Sequence, residues 1–295
     1  MNNPMVSVVV ATYQREDSLK NALQSLSNQT YDNYEVILID DNGNAEWNKK
    51  VKRVVDCFPK LNLRLIVNNP NKGSAKARNE GIFVANGKYV TFLDDDDVYL
   101  PEKIEKQVDC IEGAMADLCL TDLYLYNENE VLKDKRIRNY IQKTDEKSLL
   151  IYHLKYHMTG TDTLMFKRSF LQKIGGFSPI DIGDEFYLVL KAIENKCSFV
   201  YLPGCDVKAY VHGENGGLST GENKIKGEYA LYEKKKMYFS RVDKNTIRFI
   251  KMRHYAVLAV ANKTSGKYGA VLKNLMKAFV STPSGFLRLI LNHKL

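Results

Sequence analysis

Long hydrophobic runs are missing from this chain of 295 residues. The longest late one, Tyr255-Ala256-Val257-Leu258-Ala259-Val260-Ala261, falls well short of the roughly 18–20 apolar residues that span a bilayer. The start, MNNPMVSVVVATY, enters a strand pattern with neither a basic segment nor a cleavage site, so no secretory signal is expected and the reading is cytoplasmic. Cysteine is sparse: Cys57, Cys110, Cys119, Cys197 and Cys205 form no CxxC pair, and their scatter suits reduced thiols rather than a disulfide framework or a zinc site. Glycine-rich phosphate loops are absent too. No G-x-x-x-x-G-K-[ST] occurs, and no G-x-G-x-x-G follows the first strand pattern, which removes the usual P-loop and dinucleotide fingerprints.

Charge is abundant but uneven. From Lys208 onward there are 17 Lys and Arg against 5 Asp and Glu, whereas the remainder has 26 against 30. A basic tail on a mildly acidic body points to an anionic partner. Nucleic acid, a phospholipid surface and a diphosphate-linked molecule all qualify, but the tail lacks aromatics interleaved on a recognisable nucleic-acid module, so nucleic acid is not expected.

The first hundred residues alternate strand and helix patterns. Val6–Val10, Glu35–Ile39, Leu63–Val67 and Tyr89–Leu93 are apolar runs, separated by segments with helical spacing. Continuous apolar strands between helices predict a parallel sheet covered on both faces. Beyond Pro101 the pattern is mixed: a helix over 102–113, a strand over 118–126, a polar segment over 127–148 that could form a loop over a cleft, strands over 161–166 and 198–202, and a helix over 184–196. After about residue 222 the chain reads as basic helices. The domain reading is therefore 1–221 and 222–295.

Four consecutive aspartates, Asp94 to Asp97, end one of these strand patterns in GKYVTFLDDDDVYLP. Adjacent carboxylates repel, and collecting them at a strand terminus does little for stability. A hard divalent cation would neutralise them, since such oxygens hold Mg²⁺ or Mn²⁺ beside substrate phosphates. A solvated acidic turn is the bland alternative. The carboxyl end of a parallel strand, however, is where open α/β sheets bind ligands. Two further strand patterns end in Ala11-Thr12-Tyr13-Gln14-Arg15 and Asp40-Asp41. An aromatic ring and a carboxylate there could stack on a base and accept its N–H, or simply cap a turn. Gly73 and Arg78 lie at a loop–helix junction, where the arginine would meet phosphate, base or a carboxylate.

VSVVVATYQRED, YEVILIDDNGN, NKGSAKARNEGI and YVTFLDDDDVYLPEKI, in this order, resemble the inverting family 2 glycosyltransferases of the GT-A fold over residues 5–215. The resemblance implies an α/β GT-A fold, with a mostly parallel Rossmann-like sheet flanked by helices and a C-terminal helical appendage. It also implies a nucleotide-sugar donor, most often UDP-linked. By position, Ala11, Thr12, Tyr13 and Asp40 would contact the base, with Arg15, Asp41 and Arg78 nearby. The family's DxD motif falls within Asp94–Asp97. Its register favours Asp95 near ribose and metal, with Asp96 or Asp97 as the direct ligand of Mn²⁺ or Mg²⁺.

A divalent cation would take up charge developing on the departing diphosphate, and a carboxylate would remove the acceptor's proton. The resemblance puts that base in GFSPIDIGDEFYLVLKA, where the family carries a Glu-Asp pair whose second member is the usual base. This chain reverses the order, as Asp184-Glu185. Counting back from Lys191 selects Glu185, and aligning on Gly183 selects Asp184. His212 matches a histidine that in related enzymes meets diphosphate or metal. Ser219, Lys224 and the glycines 213, 216, 217 and 221 have the composition of a lid.

The expected reaction is transfer of a single sugar, with inversion, to a hydroxyl of a glycan or lipid-linked acceptor in bacterial surface-polysaccharide assembly. Processive synthesis is not expected, because spans are missing and the one tryptophan, Trp47, lies outside any QxxRW motif. A nucleotidyltransferase, a basic nucleic-acid binder and a transferase that binds donor without turnover are the rival readings. The tail's apolar stripes, such as Leu272, Leu275, Met276 and Phe279, would serve as core, as a homodimer contact or as an interfacial helix on an anionic membrane.

Overall fold

The computed structural model describes residues 3–180, 183–211 and 221–291. Alternation of strand and helix begins as the apolar runs dictate. β1 (Val6–Thr12), α1 (Asp17–Ser27), β2 (Tyr34–Asp40), α2 (Ala45–Asp56), β3 (Leu63–Val67), α3 (Ser74–Val84) and β4 (Tyr89–Asp94) come in turn. A short β5 (Val98–Tyr99), α4 (Lys103–Gly113), β6 (Leu118–Thr121), β7 (Leu123–Tyr126), β8 (Leu132–Arg136), α5 (Glu146–Tyr156), β9 (Leu164–Lys167), α6 (Arg168–Lys173), α7 (Asp184–Glu194), β10 (Phe199–Leu202) and β11 (Val207–Tyr210) follow. The C-terminal region is helical: α8 (Gly221–Lys236), α9 (Lys244–Thr264), α10 (Tyr268–Ser281) and α11 (Pro283–Leu291).

Seven strands form the main sheet in the order β10-β6-β9-β4-β1-β2-β3. All neighbours pair in parallel except β9, which runs antiparallel to both β4 and β6. The mostly parallel sheet expected from the apolar runs is present. Four residues of β1 (Val6, Val8, Val9 and Val10) and four of β2 (Val36 to Ile39) are sealed from solvent. That two-sided burial is why the runs show no polar alternation. Helix α1 covers one face with Leu19, Ala22, Leu23 and Leu26, spaced three and four apart, and α2 is capped by the Asn44 side chain accepting from the Glu46 and Trp47 amides.

Residues 118–126, read from sequence as one strand, are two. The chain leaves the main sheet at Asp122 and enters a four-stranded sheet of order β5-β11-β7-β8. Buried Asp122 makes the break: its carboxylate accepts from the Arg138 amide at 2.7 Å, the Tyr201 hydroxyl at 2.7 Å and the Gly204 amide at 3.0 Å. Part of the polar 127–148 segment is likewise ordered, as the solvent-exposed edge strand β8 paired antiparallel with β7.

Two compact units result. One holds residues 1–149 and 158–211; the other holds residues 150–157 together with the described residues from 221 onward. Within the second, Met252 and Ala256 of α9, Ala278 of α10 and Phe286 of α11 form a separate small core.

Helix α3 approaches β1 closely at Gly81. A Cβ there would lie 3.0 Å from Val9 Cγ2 and closer still to Cγ1. Alanine is the better helix former by about 1 kcal/mol, but overpacking costs about 1–3 kcal/mol. We therefore expect Gly81→Ala to lower stability in urea denaturation; an unchanged or raised midpoint would contradict this packing.

Candidate active site

Register brings three strand ends together. Thr12 at the end of β1 pairs with Asp40 at the end of β2, and Ala11 pairs with Asp94 at the end of β4. Past these ends the backbone turns, so side-chain and amide groups of three loops converge at one edge of the sheet.

The four aspartates separate into two groups. The turn closes through the Asp97 amide donating to the Asp94 carbonyl at 3.1 Å. On one side, Asp95 accepts from the Thr12 hydroxyl at 2.7 Å and the Tyr13 amide at 3.2 Å. Arg15 sits 3.5 Å from Asp95 and forms an ion pair with Asp96. On the other side, oxygens of Asp94, Asp97 and Asp162 lie within 4.8 Å of one another. Asp162 occupies a 3-10 turn, Thr161–Thr163, immediately before β9. It accepts from the Asp94 amide at 2.6 Å, and Asp97 accepts from the Tyr210 amide at 2.8 Å.

Of the three aspartates expected around a cation, therefore, only Asp97 joins this carboxylate cluster. Asp94 and Asp162 complete it, while Asp95 and Asp96 face Arg15. Asp162 was not singled out in the sequence, where the only signal is a lone acid between Gly160 and an apolar strand.

Electrostatics mark the cluster as unfavourable when it is fully ionised. Burial pushes the Asp95 carboxyl up to about 6, against the opposing pull of Arg15 and Thr12. Burial also raises Asp162, which faces the negative charge of Asp94, and raises Asp97, which faces Asp162. Behind the cluster lies Lys103, only 1% exposed. Its ammonium contacts the Thr91 hydroxyl at 2.5 Å and the Tyr99 hydroxyl at 2.7 Å, and burial lowers it to about 7. Lys103 was not singled out in the sequence, where it falls within the helix expected over 102–113.

Arg78 of α3 joins the aspartate turn to helix α7. Its guanidinium reaches Asp94 at 2.6 Å and Asp184 at 3.2 Å, above the ring of Phe177 at 5.4 Å. Burial disfavours the cation, but the Asp94 and Asp184 carboxylates outweigh that cost and hold it charged. Helix α7 starts after Gly183, whose φ of 79° is left-handed and thus suits glycine. The next two residues place carboxylates at the positive end of the helix dipole. Burial raises Asp184 even though Arg78 opposes the shift. Glu185 is raised by burial and by neighbouring Asp184, and it accepts from the Gly160 amide at 2.6 Å.

The expected base-contacting residues are near one another but differ in availability. The Tyr13 ring is 50% exposed. Asp40 is sealed and accepts from the Asn42 amide at 3.1 Å and its side chain at 2.6 Å. Asp41 accepts from Asn68 at 2.9 Å and from the Lys72 and Gly73 amides at 2.9 and 2.8 Å, stapling the following loop. His212, Ser219 and glycines 213, 216 and 217 lie outside the described residues, while Lys224 falls in α8.

Comparison with known proteins agrees with this geometry. The sequence profile of Glycosyl transferase family 2 matches residues 7–175. An uncharacterised glycosyltransferase of Methanocaldococcus jannaschii, MJ1057, is 29% identical over 266 residues, covering 88% of each chain. A shorter match, 27% identical, covers 45% of this chain and 51% of Escherichia coli WfgD, a UDP-Glc:alpha-D-GlcNAc-diphosphoundecaprenol beta-1,3-glucosyltransferase. Among solved structures, Staphylococcus aureus TarS 1–349 with UDP-GlcNAc superposes at a TM-score of 0.62 with 18% identity, over 95% of this chain and 92% of TarS 1–349. The Pyrobaculum calidifontis mannosyltransferase PcManGT, solved with GDP-Man and Mn²⁺, gives 0.63 with 17% identity, over 99% of this chain and 79% of its own. At such identities the superpositions speak for the shared fold, and the profile match over more than half of the sequence assigns the chain to glycosyltransferase family 2.

Proposed function

We propose that this glycosyltransferase moves one sugar from a nucleotide sugar, UDP-linked, to a hydroxyl of a glycan or lipid-linked acceptor, with inversion, in cell-surface polysaccharide synthesis. The observation that carries the reading is the grouping of Asp94, Asp97 and Asp162 at the strand ends, tied through Arg78 to the carboxylate pair opening α7. The printed activity of WfgD and the UDP-GlcNAc in the TarS structure support the choice of donor and acceptor class.

Three carboxylates with oxygens this close fit a hard divalent cation, Mn²⁺ or Mg²⁺. When bound, such an ion supplies Lewis-acid neutralisation of the departing diphosphate. The chain's own groups do the rest. The exposed Tyr13 ring offers the base a stacking surface, and Arg15 is placed to exchange its aspartate partners for phosphate oxygens. Of the two α7 carboxylates, Asp184 is committed to Arg78, whose charge favours its ionised form and fixes its direction. Glu185 is bound by one backbone amide, and its raised proton affinity suits a base that takes the acceptor hydroxyl proton.

Glu185→Gln should reduce transfer by about 100-fold or more while leaving UDP binding unchanged. Asp184→Asn should weaken donor binding as well, because it releases Arg78. If instead Asp184→Asn alone abolishes turnover with donor binding intact, the base is Asp184.

The cation reading has a pH signature. In the folded state Asp97 and Asp162 hold protons at a pH where an unfolded aspartate, titrating near ~3.9, has lost them. Ligand-free stability from these groups is therefore present at low pH and lost as pH rises from about 4 through the raised values of Asp97 and Asp162. A cation cancels the repulsion that appears on deprotonation. The gain in melting temperature on adding Mn²⁺ with UDP should accordingly grow from pH 5 to pH 8, as read by thermal shift. Equal gains at both ends, or gains that persist in Asp162→Asn, would remove the cluster as the cation site.

A further inference from the structure

Helices α10 and α11 present an apolar surface whose own charged residues are all basic, with Glu222 of α8 meeting the Lys267 ammonium at 3.2 Å just before α10. After Asp243 the sequence contains ten Lys and Arg and no acidic residue. Along α10, Tyr268 is 72% exposed, Leu272 63%, Met276 58%, Phe279 45% and Val280 77%. Helical spacing puts these five on one arc. The other side of α10 is used internally, where Asn274 and Ala278 are buried and Leu275 packs on the core with α9. Lys273 and Lys277, both exposed, follow the apolar arc around the helix. Helix α11 repeats the arrangement: Phe286 faces inward at 7% exposed, while Leu287, Ile290 and Leu291 face outward at 52%, 43% and 76%, with exposed Arg288 beside them.

We propose that this face of α10 and α11 docks on an anionic phospholipid surface. Large apolar side chains gathered on one surface are costly in water and mark a contact site. Because α10 and α11 carry basic residues and no acid of their own, the flank favours a negatively charged partner, each Lys or Arg near an anionic leaflet contributing about 1 kcal/mol. A second copy of the chain is disfavoured by the same charge, since it would press two faces of net positive charge together. Among the described residues no helix is long and apolar enough to cross a membrane, so the helices would lie in the interface with their apolar arc immersed. The inference does not depend on the sugar-transfer reading, and its test measures binding rather than turnover.

The experiment is vesicle co-sedimentation of the full chain with pure phosphatidylcholine and with phosphatidylcholine containing phosphatidylglycerol. Binding should occur only with the anionic vesicles and weaken at high salt. Lys273→Glu with Lys277→Glu should cut partitioning by about tenfold or more, and Leu272→Ser with Met276→Ser should cut it comparably, with melting and UDP binding as in the parent. To keep the test independent of any folding defect, Leu272→Trp in a Trp47→Phe background puts a lone fluorophore on the face, and its emission should shift to the blue on anionic vesicles. No pelleting at low salt, no blue shift in a chain that pellets, or a solution dimer split by the Leu272/Met276 variant without vesicle binding would each overturn the proposal.

Discussion

A single buried guanidinium holds the site together. Arg78 lies between the carboxylate that ends β4 and the one that opens α7, elements 90 residues apart in the chain. Without it, Asp94, Asp97, Asp162 and Asp184 would share a poorly hydrated space with no interposed cation. Coulomb repulsion over a few ångströms is severe when water is largely excluded. A lysine could meet one of the two carboxylates as a point charge, but the planar fork of arginine can face two at once. Breaking a buried pair of this type commonly costs about 3–5 kcal/mol, because the abandoned carboxylate stays desolvated. Arg78 therefore sets the distance between the acid turn and helix α7, and with it the distance between donor and base in the proposed reaction.

The surrounding fold tolerates that tension because its stability is generated elsewhere. β1, β2 and β4 are sealed on both faces by α1, α3 and their neighbours, and the burial of each Leu, Val or Ile contributes on the order of 1.5–3 kcal/mol. The strands end where this apolar packing ends, so the polar residues that follow have no core role to compromise. Loop geometry is then fixed by carboxylates acting as staples. Asp41 gathers Asn68, Lys72 and Gly73, and Asp122 gathers Arg138, Tyr201 and Gly204. Acidic residues thus have two roles here: where amide donors surround them they order the backbone, and where carboxylates face one another, as at Asp97 and Asp162, their proton affinity is raised, which fits the cation proposed for that site.

That distinction governs what could be read from the sequence. The parallel strands were legible because double-sided burial leaves an unbroken apolar run, and helix α1 was legible because its buried residues fall three and four apart. The motif-bearing turns were legible as types of residue at strand ends. Their internal assignment was not. In a run of four aspartates the pattern is the same in every register, and only the backbone turn decides that Asp94 and Asp97 face Asp162 while Asp95 and Asp96 face Arg15. Asp162 escaped notice because it sits in the turn that leads into a strand inserted antiparallel into the sheet, and no local periodicity reports that partner. The break at Asp122 was hidden for a similar reason, since apolar residues continue on both sides of it and tertiary hydrogen bonds alone redirect the chain.

The reversed acid pair at α7 follows from the same constraint. A base must remain ionised at working pH and yet bind a proton strongly enough to take one from a hydroxyl, so its proton affinity needs raising without a bound cation to lower it again. At position 184 burial also raises the carboxyl, but Arg78 opposes that shift and occupies the carboxylate. At position 185 burial and the adjacent Asp184 charge raise the carboxyl while the Gly160 amide stabilises the anion, a combination that suits the base in the proposed reaction. Exchanging the two acids lengthens the arm at position 185 by one methylene and shortens it at position 184. The shorter side chain suits the position already pinned to Arg78, and the longer one reaches from the helix start to the Gly160 amide. On this account the swap preserves the division between a carboxylate that positions and a carboxylate that accepts a proton.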